Sequence, residues 1–192
     1  MAKSRDPYVY AGTSVLINRE NIRDAAELAG FERLMTAQRL SEGLADIALT
    51  PQGYCSLHRH LFQDVYDWAG RPRTVDIAKS NSMFCLAAYV DRELDKRLAA
   101  IRAENGLRGL VADLFAARAA EHCSELNAIH PFREGNGRSL RAFLVVLGRQ
   151  AGHEVKIQHI DADQWNQASR DSFRNGDVTL MRQVICSVML AA

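Results

Sequence analysis

Cysteine and net charge are both in short supply in this chain. The four cysteines, Cys55, Cys85, Cys123 and Cys186, are widely spaced and form no Cys-x-x-Cys pair. That argues against a disulfide framework or a thiol-based metal motif, and predicts buried thiols within apolar stretches. The formal net charge is +1, with no acidic or basic tail, so no electrostatic footprint for nucleic acid stands out. Long hydrophobic runs are missing too: the longest strongly apolar run, Phe143 to Leu147, is far too short to cross a bilayer. No apolar signal core follows the opening Met-Ala-Lys-Ser-Arg-Asp, so a cytoplasmic location without direct membrane contact is expected. Internal repeats and low-complexity linkers are absent.

What is present is an ordinary globular balance. The 192 residues are 47% hydrophobic and 24% charged, which suits one domain over residues 1–192 with one sizeable core. Apolar residues recur mostly at helical spacing. Residues 1–20 read as an extended lead-in, since Pro7 to Asn18 lack that spacing. A first helix is expected over Ile22 to Ile47, with a break near Gly30. Thr50 looks like a helix cap ahead of Pro51, opening a helix to Trp68 that Gly70 ends. In residues 71–85, Thr74 to Ile77 favour a strand and Ser80-Asn81-Ser82 a turn, which predicts a short β-hairpin. Helical spacing resumes at Val90, Leu94, Leu98 and Ile101 and stops at Asn105-Gly106. Leu107 to Asn127 is the next helix, with Leu110, Leu114 and Phe115 inward. Another runs from Asn136 to Gln150 and buries Leu140, Phe143, Leu144 and Leu147. Asp161 and Asp177 are candidate caps of two more. The fold class is all-α with one short hairpin.

The most informative run is His130-Pro131-Phe132-Arg133-Glu134-Gly135-Asn136-Gly137-Arg138-Ser139-Leu140-Arg141. Gly135-Asn136-Gly137 directly precedes an apolar-periodic helix. Glycine tolerates the backbone angles that let successive N–H groups face one anion, and a helix N-terminus favours negative charge there. Glu134 is a hard oxygen ligand beside this nest, suited to Mg²⁺ that also binds phosphate oxygens. Arg138 and Arg141 are three apart on one helix and can both face a phosphate, which a guanidinium binds through a fork of donors. His130 is a candidate base for a hydroxyl proton, and Phe132 a candidate core anchor. Each part alone has an ordinary structural explanation; their conjunction is what points to chemistry. The other histidines lack ligand spacing for zinc, and no His-Glu-x-x-His run occurs.

This run resembles the Fic family signature, His-Pro-Phe-x-(Asp/Glu)-Gly-Asn-Gly-Arg-x-x-Arg, at every fixed position. The likeness extends over nearly the whole chain, including the lead-in Tyr8-x-Tyr10-x-Gly12-Thr13. It implies a mostly helical Fic fold and transfer of AMP from ATP·Mg²⁺ to a Tyr, Ser or Thr hydroxyl of another protein. By the same resemblance His130 is the general base, Glu134 the metal ligand, and Gly135, Asn136, Gly137, Arg138 and Arg141 the phosphate-binding set, with Arg141 on the γ-phosphate. The hairpin at 71–85 becomes a flap on which the target docks as an added strand, with Lys79 and Phe84 clamping its side chain.

Many Fic proteins carry an inhibitory (Ser/Thr)-x-x-x-Glu-(Gly/Asn) helix. Here the residues four before Glu20, Glu42, Glu104 and Glu134 are Leu16, Gln38, Ala100 and His130, so none fits. The chain therefore resembles the FicT-type toxins that lack an internal inhibitory helix. That implies a small antitoxin supplying the helix in trans, with its glutamate on Arg141, and the ATPase subunits of type II topoisomerases as targets. Competing expectations are Doc-like phosphate transfer, transfer of another nucleotide or phosphocholine, and a degenerate Fic binding module. Doc proteins carry a bulkier residue at the position of Gly137.

Overall fold

The structure, a computed structural model, describes residues 6–79 and 82–189. The lead-in folds back on itself, with Val9 bridged antiparallel to Leu16. Helix α1 spans Ala25–Ser41 and is capped by Asp24, which accepts from the Ala26 and Glu27 N–H groups at 2.9 and 2.8 Å. It starts three residues later than expected from spacing, because the Asn18 side chain bonds both the N–H and the carbonyl of Ile22 and holds that segment in a turn. Gly30 does not break it, and it ends at Ser41 rather than Ile47.

Thr50 caps helix α2 (Pro51–Phe62) through Gly53 N–H at 3.2 Å. The expected extension to Trp68 is replaced by turns: Val65 and Tyr66 both donate to Phe62 O. Strand β1 (Ala78–Lys79) pairs antiparallel with β2 (Ser82–Met83), Ala78 opposite Met83 and Lys79 opposite Ser82. Ser80, Asn81 and the Lys79 side chain lie outside the described residues. Thr74 to Ile77, expected as strand, are irregular, for Arg73 Nη1 takes the Val75 carbonyl at 2.7 Å and Asp76 accepts from Ala87 N–H at 2.7 Å.

Helix α3 (Val90–Ala103) buries Val90, Leu94, Leu98 and Ile101. Helix α4 (Ala112–Ile129) is central, packing on α3, on α5 (Asn136–Ala151), on α6 (Ala162–Asn175) and on α7 (Thr179–Val188). Leu114, expected inward, is 56% exposed, while Phe115 is fully buried. Helix α5 buries Leu140, Phe143, Leu144 and Leu147 and also touches α2. Asp161 caps α6 and Asp177 accepts from the first N–H of α7. Among the four thiols only Cys123 is fully buried; the other three are half-buried.

Two apolar clusters result. The larger joins α2 to α7 and includes Phe132; the smaller joins the lead-in, α1 and the end of α2 and includes Phe62 and Tyr66. The loop between α4 and α5 lies where they meet.

Candidate functional site

That loop begins with a bend no other residue of α4 takes. His130 sits in the left-handed region at φ 50° and ψ 63°, a costly conformation for a residue with a Cβ. It is held by Arg73, a residue only 2% exposed, which has no ion pair with a carboxylate among the described residues. Arg73 Nε donates to His130 O at 2.8 Å and Nη2 to Ile129 O at 3.3 Å; Nη2 also bonds Cys85 O, and the Arg73 N–H reaches Pro131 O at 2.8 Å. A cation at the C-terminal carbonyls of α4 meets the negative end of the helix dipole. Arg73 thereby ties the base of the strand pair to the start of the loop.

The His130 imidazole faces Asn127 O through Nδ1 at 3.1 Å. A carbonyl only accepts, so Nδ1 carries the proton and Nε2 is the basic nitrogen of the neutral ring. Phe84 stacks on the imidazole at 3.8 Å between centroids and meets Phe173 of α6 edge-on.

Phe132 is fully buried, stacked on Tyr54 and on His58. Asn136 clamps the loop: its Oδ1 accepts from Phe132 N–H at 2.8 Å and its Nδ2 donates to Phe132 O at 2.7 Å. The side chain of this expected phosphate ligand is thus committed to the loop, which leaves its backbone N–H as the group that can face an anion. His58, fully buried, accepts from Gly70 N–H at Nδ1 and so donates from Nε2 to Glu134 O at 3.0 Å. Burial pushes its pKa down to about 3, so it is a neutral strut. Spacing alone had marked His58 only as an unlikely metal ligand.

Gly135 takes φ 81° as the residue before α5, and a Cβ there would lie 2.3 Å from Phe62 Cζ. Gly137, in contrast, needs no positive φ, and its Cβ would meet only Arg141 Nη1 at 3.9 Å; what it supplies is open space. Gly135 N–H is bonded to the Glu134 carboxylate at 2.8 Å, so the leading N–H groups of α5 beyond it form the available anion nest. The Glu134 side chain is 47% exposed and lies 3.7 Å from Arg138 Nη2. Its exposed carboxylate fits one oxygen ligand of a magnesium ion whose other ligands are phosphate and water.

His130, Glu134, Gly135, Asn136, Gly137, Arg138 and Arg141 all line one cleft of about 670 Å³. Arg133, Arg170 and Arg174 add further positive charge to the lining, and Asp6 and Asp76 negative charge. Asp6 pairs with Arg133 at 2.8 Å, which docks the lead-in on the loop. Arg138 pairs with the buried Glu32 of α1 and lies over Phe62. Burial, with Arg138 next, lowers the Arg141 pKa from its ordinary value; among the described residues no carboxylate pairs with it. Tyr66 donates to Glu32 at 2.5 Å, its phenol pKa raised by burial and then by that carboxylate. Glu32, Tyr66 and Arg73 carried no signal in the sequence motif, because each reaches the site from a distant segment.

A mostly helical bundle whose arginine-rich cleft opens at a helix N-terminus has the makings of an anion-binding protein. The Fic/DOC family profile matches residues 48–147. A probable protein adenylyltransferase, y4lH of Sinorhizobium fredii, is 43% identical over 90% of both chains. The probable protein adenylyltransferase Fic of Salmonella typhimurium is 37% identical over 95% of this chain and 91% of its own. The Fic domain of a Bartonella quintana cell filamentation protein, solved with ADP, matches at TM-score 0.87 and 25% identity, over 95% of this chain and 94% of that one. The chain belongs to the Fic/DOC family, and its fold is the mostly helical Fic fold.

Proposed function

We propose that this chain is a protein adenylyltransferase that moves AMP from ATP to a Tyr, Ser or Thr hydroxyl of a target protein. One observation carries the assignment: a base, an exposed carboxylate, a helix-end nest and two arginines share one cleft of about 670 Å³. The names of its relatives support it, as does the ADP in the Bartonella quintana domain. The target oxygen attacks the α-phosphorus, a new O–P bond forms, the bond to the β-phosphate oxygen breaks, and pyrophosphate leaves. His130 Nε2 takes the hydroxyl proton. The N–H groups of Asn136 and Gly137, with Arg138 and Arg141, hold the phosphates and offset the developing charge. Glu134 holds Mg²⁺, which when bound adds positive charge beside the phosphate oxygens.

The segment 71–85 serves as the flap. A target strand adds to the β1–β2 pair and brings its hydroxyl towards His130, with Lys79 and Phe84 as clamps; Phe84, stacked on His130, supports that role. The absence of an inhibitory motif supports a toxin acting in the cytoplasm, restrained by a small antitoxin whose glutamate reaches Arg141. Type II topoisomerase ATPase subunits are the proposed targets. Among the described residues no helix is long and apolar enough to cross a membrane.

The test uses the chain with Mg²⁺ and bacterial lysate, given ATP labelled at the α- or the γ-phosphate, beside His130→Ala. The expected result is one protein band labelled from α-ATP only and lost in the variant. Label from γ-ATP alone would establish Doc-like phosphate transfer instead, and no label from either would point to another nucleotide donor, a target missing from the lysate, or a binding module.

A further inference from the structure

Arg138 does not enter the cleft alone. Its guanidinium carbon lies 4.7 Å from the Phe62 ring centroid. Its Nη2 pairs with Glu32 Oε1, 106 residues earlier on α1. The second oxygen of Glu32 accepts from Tyr66 Oη at 2.5 Å. Glu32 is 8% exposed, flanked on α1 by the buried Leu28 and Thr36 one turn to either side. A carboxylate in a buried helix stripe carries a desolvation cost that an apolar residue would not, unless its partners use both oxygens. Here both are used. The other carboxylate near Arg138 is Glu134, at 3.7 Å from the same nitrogen.

We propose that Glu32 is a positioning residue for the transfer reaction. With Tyr66, it holds the Arg138 guanidinium over Phe62 and keeps it from closing the 3.7 Å gap to Glu134, so Arg138 presents its remaining donors to phosphate and Glu134 stays open to the metal. This rests on the assignment of the cleft to ATP. A guanidinium has five N–H donors in a fixed fork, so anchoring one nitrogen sets the direction of the rest. Without Glu32 the nearest carboxylate is Glu134 itself, and an Arg138–Glu134 pair would occupy a phosphate donor and the metal ligand together. The buried setting makes the Glu32 contact stronger than an exposed pair of the same geometry. It differs from the inhibitory glutamate expected in trans, which would engage Arg141 and compete with nucleotide.

The measurement is binding of the ATP analogue AMPPNP with Mg²⁺ by calorimetry, on the whole chain and its variants. Glu32→Ala is expected to weaken binding about tenfold, the scale of one hydrogen bond to a charged group. Glu32→Gln keeps an oxygen for Arg138 and is expected within about threefold of the unaltered protein. Leu28→Ala removes packing from the same helix and is expected to lower the melting temperature without changing affinity. In an Arg138→Ala background, removing Glu32 is expected to change affinity no further. Should Glu32→Ala not fold, Glu32→Asp, which withdraws the carboxylate by one methylene, carries the same expected loss. Unchanged affinity in these variants overturns the proposal, and tighter binding overturns it in favour of a brake. An equal loss with and without Arg138 overturns it as well. If the unaltered protein binds no AMPPNP, the ATP assignment falls with it; if it binds and Glu32→Ala is indifferent, only the role of Glu32 falls.

Discussion

Gly135→Ala separates packing from ligand contact at the nest. An alanine at the φ 81° of Gly135 costs about 1–2 kcal/mol in backbone strain. Its Cβ would lie 2.3, 2.5 and 2.9 Å from three ring carbons of Phe62. Phe62 is itself fully buried, against His58 and Tyr66, and has no space to swing into. Overpacking of this kind costs about 1–3 kcal/mol more. A loss of about 3 kcal/mol is expected, a fall in Tm of about 6–12 °C for a chain of this size. Gly137→Ala is the matched control, since the new methyl meets only Arg141 Nη1 at 3.9 Å. Alanine is favoured over glycine within a helix by about 0.5–1 kcal/mol, so this variant should be as stable as the parent or slightly more so. Its methyl nevertheless stands in the open mouth of the nest and should weaken AMPPNP binding. Thermal unfolding by circular dichroism, with calorimetry for the nucleotide, reads both effects. A Gly135→Ala protein melting within about 2 °C of the parent would refute the steric reasoning.

Two further outcomes follow from the buried polar groups. Arg73→Lys keeps a cation but cannot reach the same set of carbonyls; it should lose about 1.5–3 kcal/mol of stability and slow protein labelling while leaving AMPPNP affinity intact, and a variant with unimpaired labelling would show that Arg73 does not hold His130. His58 titrates near 6.5 when unfolded and near 3 when folded, so the unfolded chain binds the extra proton between those values and stability falls as pH drops through that window. The loss reaches about 2 kcal/mol by pH 5; His58→Gln should flatten this acid limb in urea unfolding, leaving the contribution of His122, whose pKa burial also lowers.

The signature run was legible because its spacing is local: eight of its residues reach one cleft through a single loop and helix start. Helices with their own caps were legible for the same reason, as at Thr50 and Asp161. What failed was decided at a distance. The stretch Thr74 to Ile77 has strand-forming residues, yet Arg73 and Ala87 take its polar groups. Trp68 keeps helical phase with Leu61 and Val65, but the chain turns after Phe62 to bring Gly70 under His58. Glu32 shares a buried stripe with Leu28 and Thr36 that only the folded helix reveals; nothing local could say that Arg138 would meet it.

Asp6 lines the cleft and is clamped to Arg133, while Tyr8, two residues on, bonds the Thr74 N–H at 3.2 Å. Asp6 therefore stands at the rim of the cleft, beside the loop that carries Glu134. A pull on the chain at Asp6 would be carried through that ion pair to Arg133, and so into the loop itself.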